Sequence, residues 1–553
     1  MNLFFIRISR KFLSFLTIFC FSLSACGCVG GGGGKVLGFS LATAPENLDP
    51  QTASNSSAIT IVNNIFEGLY RRTLDNKFEL GAAKKVDISP DGKTYTYTIK
   101  DDMCWKYYNS ESKMEDGTAV DFKVTADDFL FAFQRLMDPN VETPYSSNYY
   151  FIKNARSVKE GRKPIESLGV SVNGKGQLVL KLEHKTPLME ELLSSAPAMP
   201  CNRKFFEMTK GRYGIKGAML LSNGPYYVHR WQNTDDAKKV RLKANEKYYD
   251  RDKISISGVN LTVRGKAEAF ELYRKNDIDT AIISYEQFNL AKIAPKLSQP
   301  FQNSVVGIGL NQSSKYFENQ KIRTALSMAV DRNHLKQLLR EDQVIAWALV
   351  PSSVTIGSQN YREAAGNFAV SKYNPNAARD LLKQGLDELR ATNKGASLNS
   401  VSILVDEETY STLDQILQTW QKELGVFMQI DVQPKENYLK KLKNSEFDCA
   451  LMTLNSDSDT PSSILNKFVK ESPFNNIKAN LSGYREILES ASLQEDVEAM
   501  AAKYLEAEKL ICHSGNFIPI YYQTEYFVWQ NNVKNLIFDP GSKQLYYMYA
   551  RKE

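Results

Sequence analysis

Few side chains in this 553-residue sequence stand at a spacing that could do chemistry. Ser110 and Lys113 make one Ser-x-x-Lys, the separation that sets a nucleophilic serine beside a lysine base on a helical turn. The run from Tyr107 to Gly117 is polar and loop-like, and no Ser-Asp-Asn or Lys-Thr-Gly accompanies it, so the spacing reads as chance. Five consecutive glycines, Gly30 to Gly34, have the composition of a phosphate cradle, but no strand precedes them and no Gly-Lys-Ser/Thr follows. Gly307-Ile308-Gly309 lacks a third glycine and lies in an apolar, strand-like run. Four scattered histidines (His184, His229, His334, His513) leave little room for a metal site. Cys28, Cys104, Cys201, Cys449 and Cys512 share no Cys-x-x-Cys spacing, which leaves buried thiols and one or two disulfides both open. These residues imply no catalytic group, no metal and no cofactor. One carboxylate-rich loop remains, Ser456-Asp457-Ser458-Asp459-Thr460-Pro461, and by itself it reads as a surface turn whose aspartates cap a helix at Pro461-Ser462.

The elements that must position such groups follow from pattern. Composition is that of an ordinary globular protein, and the length suits two to four domains with cores of their own. The 69 basic against 63 acidic side chains include no block of five Lys/Arg, which argues against a nucleic-acid binder. Thr94 to Ile99 alternates behind an Asp91-Gly92 turn and predicts a half-buried strand. Leu326, Ala329, Val330 and Leu338 predict one helix over 323–339. Leu413, Ile416, Leu417, Trp420 and Leu424 share a helical face, with a Thr412/Gln415 capping box ahead and Gly425 as the stop. Val426, Met428, Ile430 and Val432 then alternate as a strand. Such succession predicts an α/β fold.

The N-terminus predicts export. Arg7, Arg10 and Lys11 precede an apolar stretch, Phe12 to Leu23, too short for the roughly 20 residues of a bilayer span. Leu23-Ser24-Ala25-Cys26 resembles a bacterial lipobox, which implies a signal peptide over 1–25, lipidation of Cys26 and a glycine-rich tether over 26–35. Without residues 1–25 the balance is 66 basic to 63 acidic side chains, so half of the apparent basicity belongs to the export signal.

Several segments then coincide in order along the chain. They are Leu48-Asp49-Pro50-Gln51-Thr52, Asn64-Ile65-Phe66-Glu67-Gly68-Leu69-Tyr70, Val124-Thr125-Ala126-Asp127-Asp128-Phe129 with Gln134-Arg135-Leu136, Asn223-Gly224-Pro225-Tyr226, Asn245-Glu246-Lys247-Tyr248-Tyr249-Asp250, Ile322-Arg323-Thr324-Ala325-Leu326 with Val330-Asp331-Arg332, and Phe517 to Tyr522. Together they resemble the substrate-binding proteins of oligopeptide ABC transporters (extracellular solute-binding proteins, family 5). The resemblance implies a type II periplasmic-binding-protein-like fold with two hinged α/β lobes. It places lobe I at 36–66, 205–304 and 516–553, an extra domain at 67–204 and lobe II at 305–515. Further implications are a monomer outside the cytoplasm, a peptide ligand, permease subunits as partners, and no enzyme activity. Lys106 to Lys123 depart from the family pattern as an insertion of about a dozen residues.

In this family an aspartate in a loop of form Asp-x-x-acidic-Pro holds the ligand ammonium, beyond a strand that offers backbone partners. By resemblance Asp457 takes that role, Asp459 competes with it, and Thr453 and Asn455 offer backbone groups. Ser54, Asn55 and Ser56 occupy the lobe I segment that pairs with peptide backbone, Trp420 could wall a side-chain pocket, and Tyr145 is a further contact candidate. Leu451 and Leu454 stand where well-known members carry an arginine and an aromatic, which points to another ligand length or type. The competing readings are a murein peptide, dipeptide, metal chelate or haem as cargo, an envelope hydrolase using Ser110 and Lys113, and an adhesin-like lipoprotein.

Overall fold

The computed structural model describes residues 35–553 apart from 112, 115–116, 121, 235–237, 408–412 and 457. The expected signal peptide, Cys26, nearly all of the glycine tether, Thr412 and Asp457 lie outside the described residues.

Two sheets build two lobes. In the first lobe seven strands run in the order Tyr226–Asn233, Lys238–Ala244, Gly258–Val263, Val36–Leu41, Thr280–Ile283, Glu525–Trp529, Ser298–Phe301. In the second, six run Gln343–Ile345, Phe517–Gln523, Ser304–Leu310, Cys449–Asn455, Ser402–Asp406, Gln429–Gln433. A four-stranded antiparallel sheet (Ala83–Ile88, Thr94–Ile99, Leu178–Lys181, Val170–Val172) is inserted between strands Val36–Leu41 and Tyr226–Asn233 of the first sheet. Each large sheet needs apolar cover on both faces, and helices supply it. Gln320–Met328, Pro375–Thr392 and Leu413–Leu424 bury their apolar residues in the core of the second lobe.

The chain crosses between the lobes twice, through Gln302-Asn303 and through Thr524. The Gln302 side chain donates to Thr524 Oγ1 at 3.0 Å, so the crossings are tied to each other. The expected return to lobe I at 516 is corrected: Phe517–Gln523 pairs with Ser304–Leu310 in the second sheet, and the chain leaves it at Thr524. Pro519, which has no N–H for a ladder, lies opposite Gly307 where the register slips between Val306 and Gly307. A Cβ on Gly307 would stand 2.5 Å from the Ile518 carbonyl oxygen, and one on Gly309 2.5 Å from Met452 Sδ. The glycine pair therefore serves close strand packing.

Local signals are met where neighbouring residues decide the outcome. Thr94–Ile99 is a strand after Gly92, whose φ is +67°, and Leu413–Leu424 ends at Gly425, φ +66°. The strand expected from Val426 begins only at Gln429. The single helix expected over 323–339 is two, Gln320–Met328 and Arg332–Lys336. Asp331 caps the second by accepting from the His334 amide at 3.1 Å, while buried Arg332 donates to the Ala346 and Pro519 carbonyls.

The segments that carried the resemblance are architectural. Arg135 grips Asp49 with two bonds, 2.9 and 2.5 Å, and Gln51 at 2.6 Å, all buried. Asn223 exchanges hydrogen bonds with the Glu67 backbone, and buried Arg323 donates to the carbonyls of Phe317, Glu318 and Ser514.

The insertion is a closed excursion. Cys104 and Lys123 bridge its base, Lys106–Tyr107 pairs with Leu221–Ser222, and the Tyr108 ring fills the space over Gly217. A short turn over Tyr108–Ser110 gives way to extended Glu111, and Lys113 bridges Ala119, so no helical turn joins Ser110 to Lys113. That removes the geometry the hydrolase reading requires. Cys104, Cys201, Cys449 and Cys512 are free thiols. Among the described residues, no helix is long and apolar enough to cross a membrane.

Candidate functional site

Strand Cys449–Asn455 leads from the second lobe towards the crossings. Its even-numbered residues face Ser304–Leu310: the Asp448 carbonyl accepts from Asn311 N–H at 2.9 Å, and Ser456 N–H donates to the Asn303 carbonyl at 2.8 Å. Backbone direction alternates with period two, so Cys449, Leu451, Thr453 and Asn455 point their amides and carbonyls to the other edge. Parallel pairing with Ser402–Asp406 covers that edge only at Cys449 and Ala450, and the Tyr438 hydroxyl then takes the Leu451 carbonyl at 2.7 Å. Beyond it no described strand pairs with Thr453 or Asn455 on that side, and both side chains are exposed. An extended backbone can be received there by strand addition.

The loop that follows is held on both sides of Asp457. Ser456 is buried and its hydroxyl donates to the Ser458 carbonyl at 2.6 Å, while Ser458 N–H donates to Ser463 Oγ at 3.2 Å. Asp459 does not face an open cleft. Its side chain is 7% exposed and Oδ2 sits 2.6 Å from Arg72 Nη2, so the second candidate ammonium ligand is taken by an internal cation. Arg72 also lies 3.9 Å from Asp539 Oδ2 and stacks over the Phe78 and Tyr546 rings. Burial, then the neighbouring Asp539 carboxylate, drive Asp459 strongly towards its protonated form against the Arg72 charge. Asp539 is held low instead: burial opposes this, but hydrogen bonding with Asp459 and the Arg72 charge prevail.

Across from this loop, Asn55 caps helix Ser56–Ile65 by accepting from Ala58 N–H at 2.7 Å, so its side chain is occupied structurally. Ser54 and Ser56 are exposed beside it. Tyr145 donates to the Ala53 carbonyl at 2.7 Å, which brings it to the same segment. Trp420 is corrected: it is fully buried in the second-lobe core and its indole N–H donates to the Leu326 carbonyl at 3.0 Å, so it walls no pocket. Leu451 points into the same core, whereas Leu454 packs on the other face of the strand.

The model for bacterial extracellular solute-binding proteins, family 5, matches residues 77–476. The chain belongs to this family. The oligopeptide-binding protein OppA of Bacillus subtilis (strain 168) is 26% identical over 97% of this chain and 98% of its own. The periplasmic murein peptide-binding protein MppA of Escherichia coli (strain K12) is 25% identical over 87% of this chain and 86% of its own. The structure of Listeria monocytogenes OppA bound to peptide superposes with a TM-score of 0.72 at 24% identity, covering 94% of this chain and 99% of that one. As a family 5 solute-binding protein the chain is a transporter component and not an enzyme, and it works outside the cytoplasm. The two-lobed type II arrangement is the family fold.

Arg72 escaped the sequence reading. It follows directly on the Gly68-Leu69-Tyr70 segment, and a doublet of arginines in a strand that begins with a buried tyrosine was the available signal. Its partner lies 387 residues away, which no local pattern encodes.

Proposed function

We propose that this family 5 protein is a lipid-anchored receptor that captures oligopeptides between its lobes and hands them to the permease of an ABC importer. The open backbone edge at Thr453 and Asn455, beside the crossings, carries this reading. It offers a peptide what all peptides share, a ladder of amides and carbonyls, and leaves side chains unread. Asp457, two residues further in sequence, supplies the carboxylate for a peptide ammonium, since Asp459 is committed to Arg72. Ser54, Ser56 and Tyr145 contribute from lobe I. The names of the Bacillus subtilis relative and of the peptide-bound Listeria monocytogenes structure support peptides as cargo, and that of the Escherichia coli relative supports murein peptides within the same class. Cys26 carries the lipid, and the glycine run gives the receptor reach from the membrane.

The test is to denature gently purified protein and identify what it releases by mass spectrometry. Oligopeptides of mixed sequence support the reading, dipeptides or murein peptides narrow the cargo, and release of no peptide, with no thermal shift from a peptide mixture, refutes it. The mass of the mature N-terminal fragment, with or without diacylglyceryl-Cys26, decides the anchor separately.

A further inference from the structure

Four side chains from three parts of the fold converge on one buried spot. Arg72 lies on strand Tyr70–Arg72 and Glu191 on helix Met189–Ser194, both from the stretch inserted between strands Val36–Leu41 and Tyr226–Asn233 of the first sheet. Asp539 comes from the hairpin Ile537–Asp539/Gln544–Tyr546, which packs on the first-lobe helix Ser56–Ile65. Asp459 comes from the second lobe, where its carbonyl accepts from Thr355 N–H at 2.9 Å. The second lobe also supplies Gly357, which lies beside Leu188 at the start of the Glu191 helix. The Arg72–Asp459 contact therefore joins the second lobe to the rest of the chain.

We propose that Arg72, Asp459 and Glu191 form a proton-accepting latch between the lobes, so that the cleft closes more firmly as pH falls. This rests on the reading of the chain as a receptor whose lobes close on ligand.

The charge count is the core of the argument. Asp459 and Asp539 lie 2.6 and 3.9 Å from the one guanidinium and buried Glu191 within its electrostatic reach, and three buried negative charges against one positive are not compensated. The donors show where the negative charge stays. Asp539 receives the Gly541 amide at 3.0 Å and the Ser542 hydroxyl, which stabilise its ionised form. Among the described residues no donor reaches Asp459 Oδ1 or Glu191 Oε2, so nothing there stabilises a second and a third negative charge. The other groups facing them, Tyr546 beside Asp459 and Tyr504 and Tyr149 beside Glu191, carry no charge near neutrality. Burial, with Arg72 opposing, accordingly lifts Glu191 to about 7.

Opening carries Asp459 and Gly357 away with the second lobe, and the Asp459 carboxyl returns to water and ionises. Closure therefore binds a proton at neutral pH. A group raised in the closed state favours that state at low pH, and the advantage is lost as pH rises through its closed-state value. For each proton taken up, closure weakens by up to about tenfold per pH unit between the open-state and the closed-state value, and no further above the latter. The bidentate bridge of Arg156 to Glu489 also spans the bodies, but it is exposed and screened by solvent.

Small-angle scattering of the ligand-free protein at pH 5.5 and 8.0 reads closure without any peptide. Wild type is expected to be more compact at pH 5.5, and Asp459→Asn, which leaves only Glu191 to take up a proton, to show a clearly smaller difference between the two pH values. Arg72→Gln is expected to stay extended at both, with partial recovery in Arg72→Lys. Equal dimensions of wild type at the two pH values, or an Asp459→Asn protein that keeps the wild-type difference, overturn the latch. Calorimetry with tetra-alanine in buffers of different ionisation heat adds a second reading: close to one proton taken up by wild type at pH 7.5, and clearly fewer by Asp459→Asn. Failure of tetra-alanine and of peptide mixtures to bind counts against the peptide reading alone, and scattering still decides the latch.

Discussion

The hydroxyl of Tyr438 donates to the carbonyl of Leu451 at 2.7 Å, and this contact is where the occupied edge of strand Cys449–Asn455 ends. Up to Ala450 the edge pairs with a neighbouring strand; after Leu451 no described strand pairs with it.

The alternation of the strand makes a paired prediction. Thr453→Pro removes an amide that faces the open edge, and Met452→Pro one that faces strand Ser304–Leu310. Thr453→Pro is expected to weaken peptide binding at least about tenfold while the protein still melts cooperatively, whereas Met452→Pro is expected to lower the melting temperature severely. Calorimetric titration and thermal melts on both variants separate the roles. A Thr453→Pro protein with wild-type affinity would remove the backbone edge from the site.

Asp457 is expected to read the peptide ammonium. Asp457→Ala should lower affinity for peptides with a free N-terminus by about tenfold or more, and leave N-acetylated peptides unaffected. Loss of both classes alike would assign Asp457 a structural role in the loop.

The pair of Arg135 with Asp49 joins two of the segments that carried the family resemblance and lies far from any ligand edge in sequence. Removing one partner of a buried bidentate pair strands the other, so Asp49→Ala is expected to cost about 3–5 kcal/mol. Denaturant unfolding reads this directly. Peptide affinity of the fraction that remains folded should be unchanged, which distinguishes a frame residue from a binding residue.

How much of this was legible in the sequence follows from the range of each cause. The Thr94–Ile99 strand and the Gly425 stop depend on adjacent residues and could be read directly. The break at Asp331 could not, because it turns on Arg332 reaching carbonyls of Ala346 and Pro519 from distant strands. Phe517–Gln523 was assigned to the wrong lobe since nothing local reports which sheet a strand joins. At the candidate site, family resemblance points to the Asp457–Asp459 loop, and only the buried Arg72 contact, which no local pattern reports, separates Asp459 from Asp457 as a ligand candidate. Trp420 satisfied helical spacing for a core residue, and core is where it lies.

That placement has its own test. Trp420→Ala empties a large, fully buried volume in the second lobe and is expected to cost about 3–5 kcal/mol, with peptide affinity unchanged once folding is accounted for. A variant that melts normally but loses ligand would return Trp420 to the cleft.

The last prediction concerns acid stability at the second crossing. Glu525, one residue beyond Thr524, is buried and bridges Lys266 and Lys543. Burial opposes its charge, but the two lysines prevail and hold its carboxyl down to about 2, against an ordinary value of 4.5. A carboxyl lowered on folding contributes stability that is complete above the unfolded value and disappears as pH falls through the folded one. Wild type should therefore exceed Glu525→Gln in unfolding free energy at pH 6, and the gap should narrow between about pH 4.5 and pH 2. Since all other carboxyls titrate equally in both proteins, the difference between the two curves isolates this site. A gap that stays constant with pH would show that the lysines hold Glu525 by hydrogen bonds available to the amide as well, and not by charge.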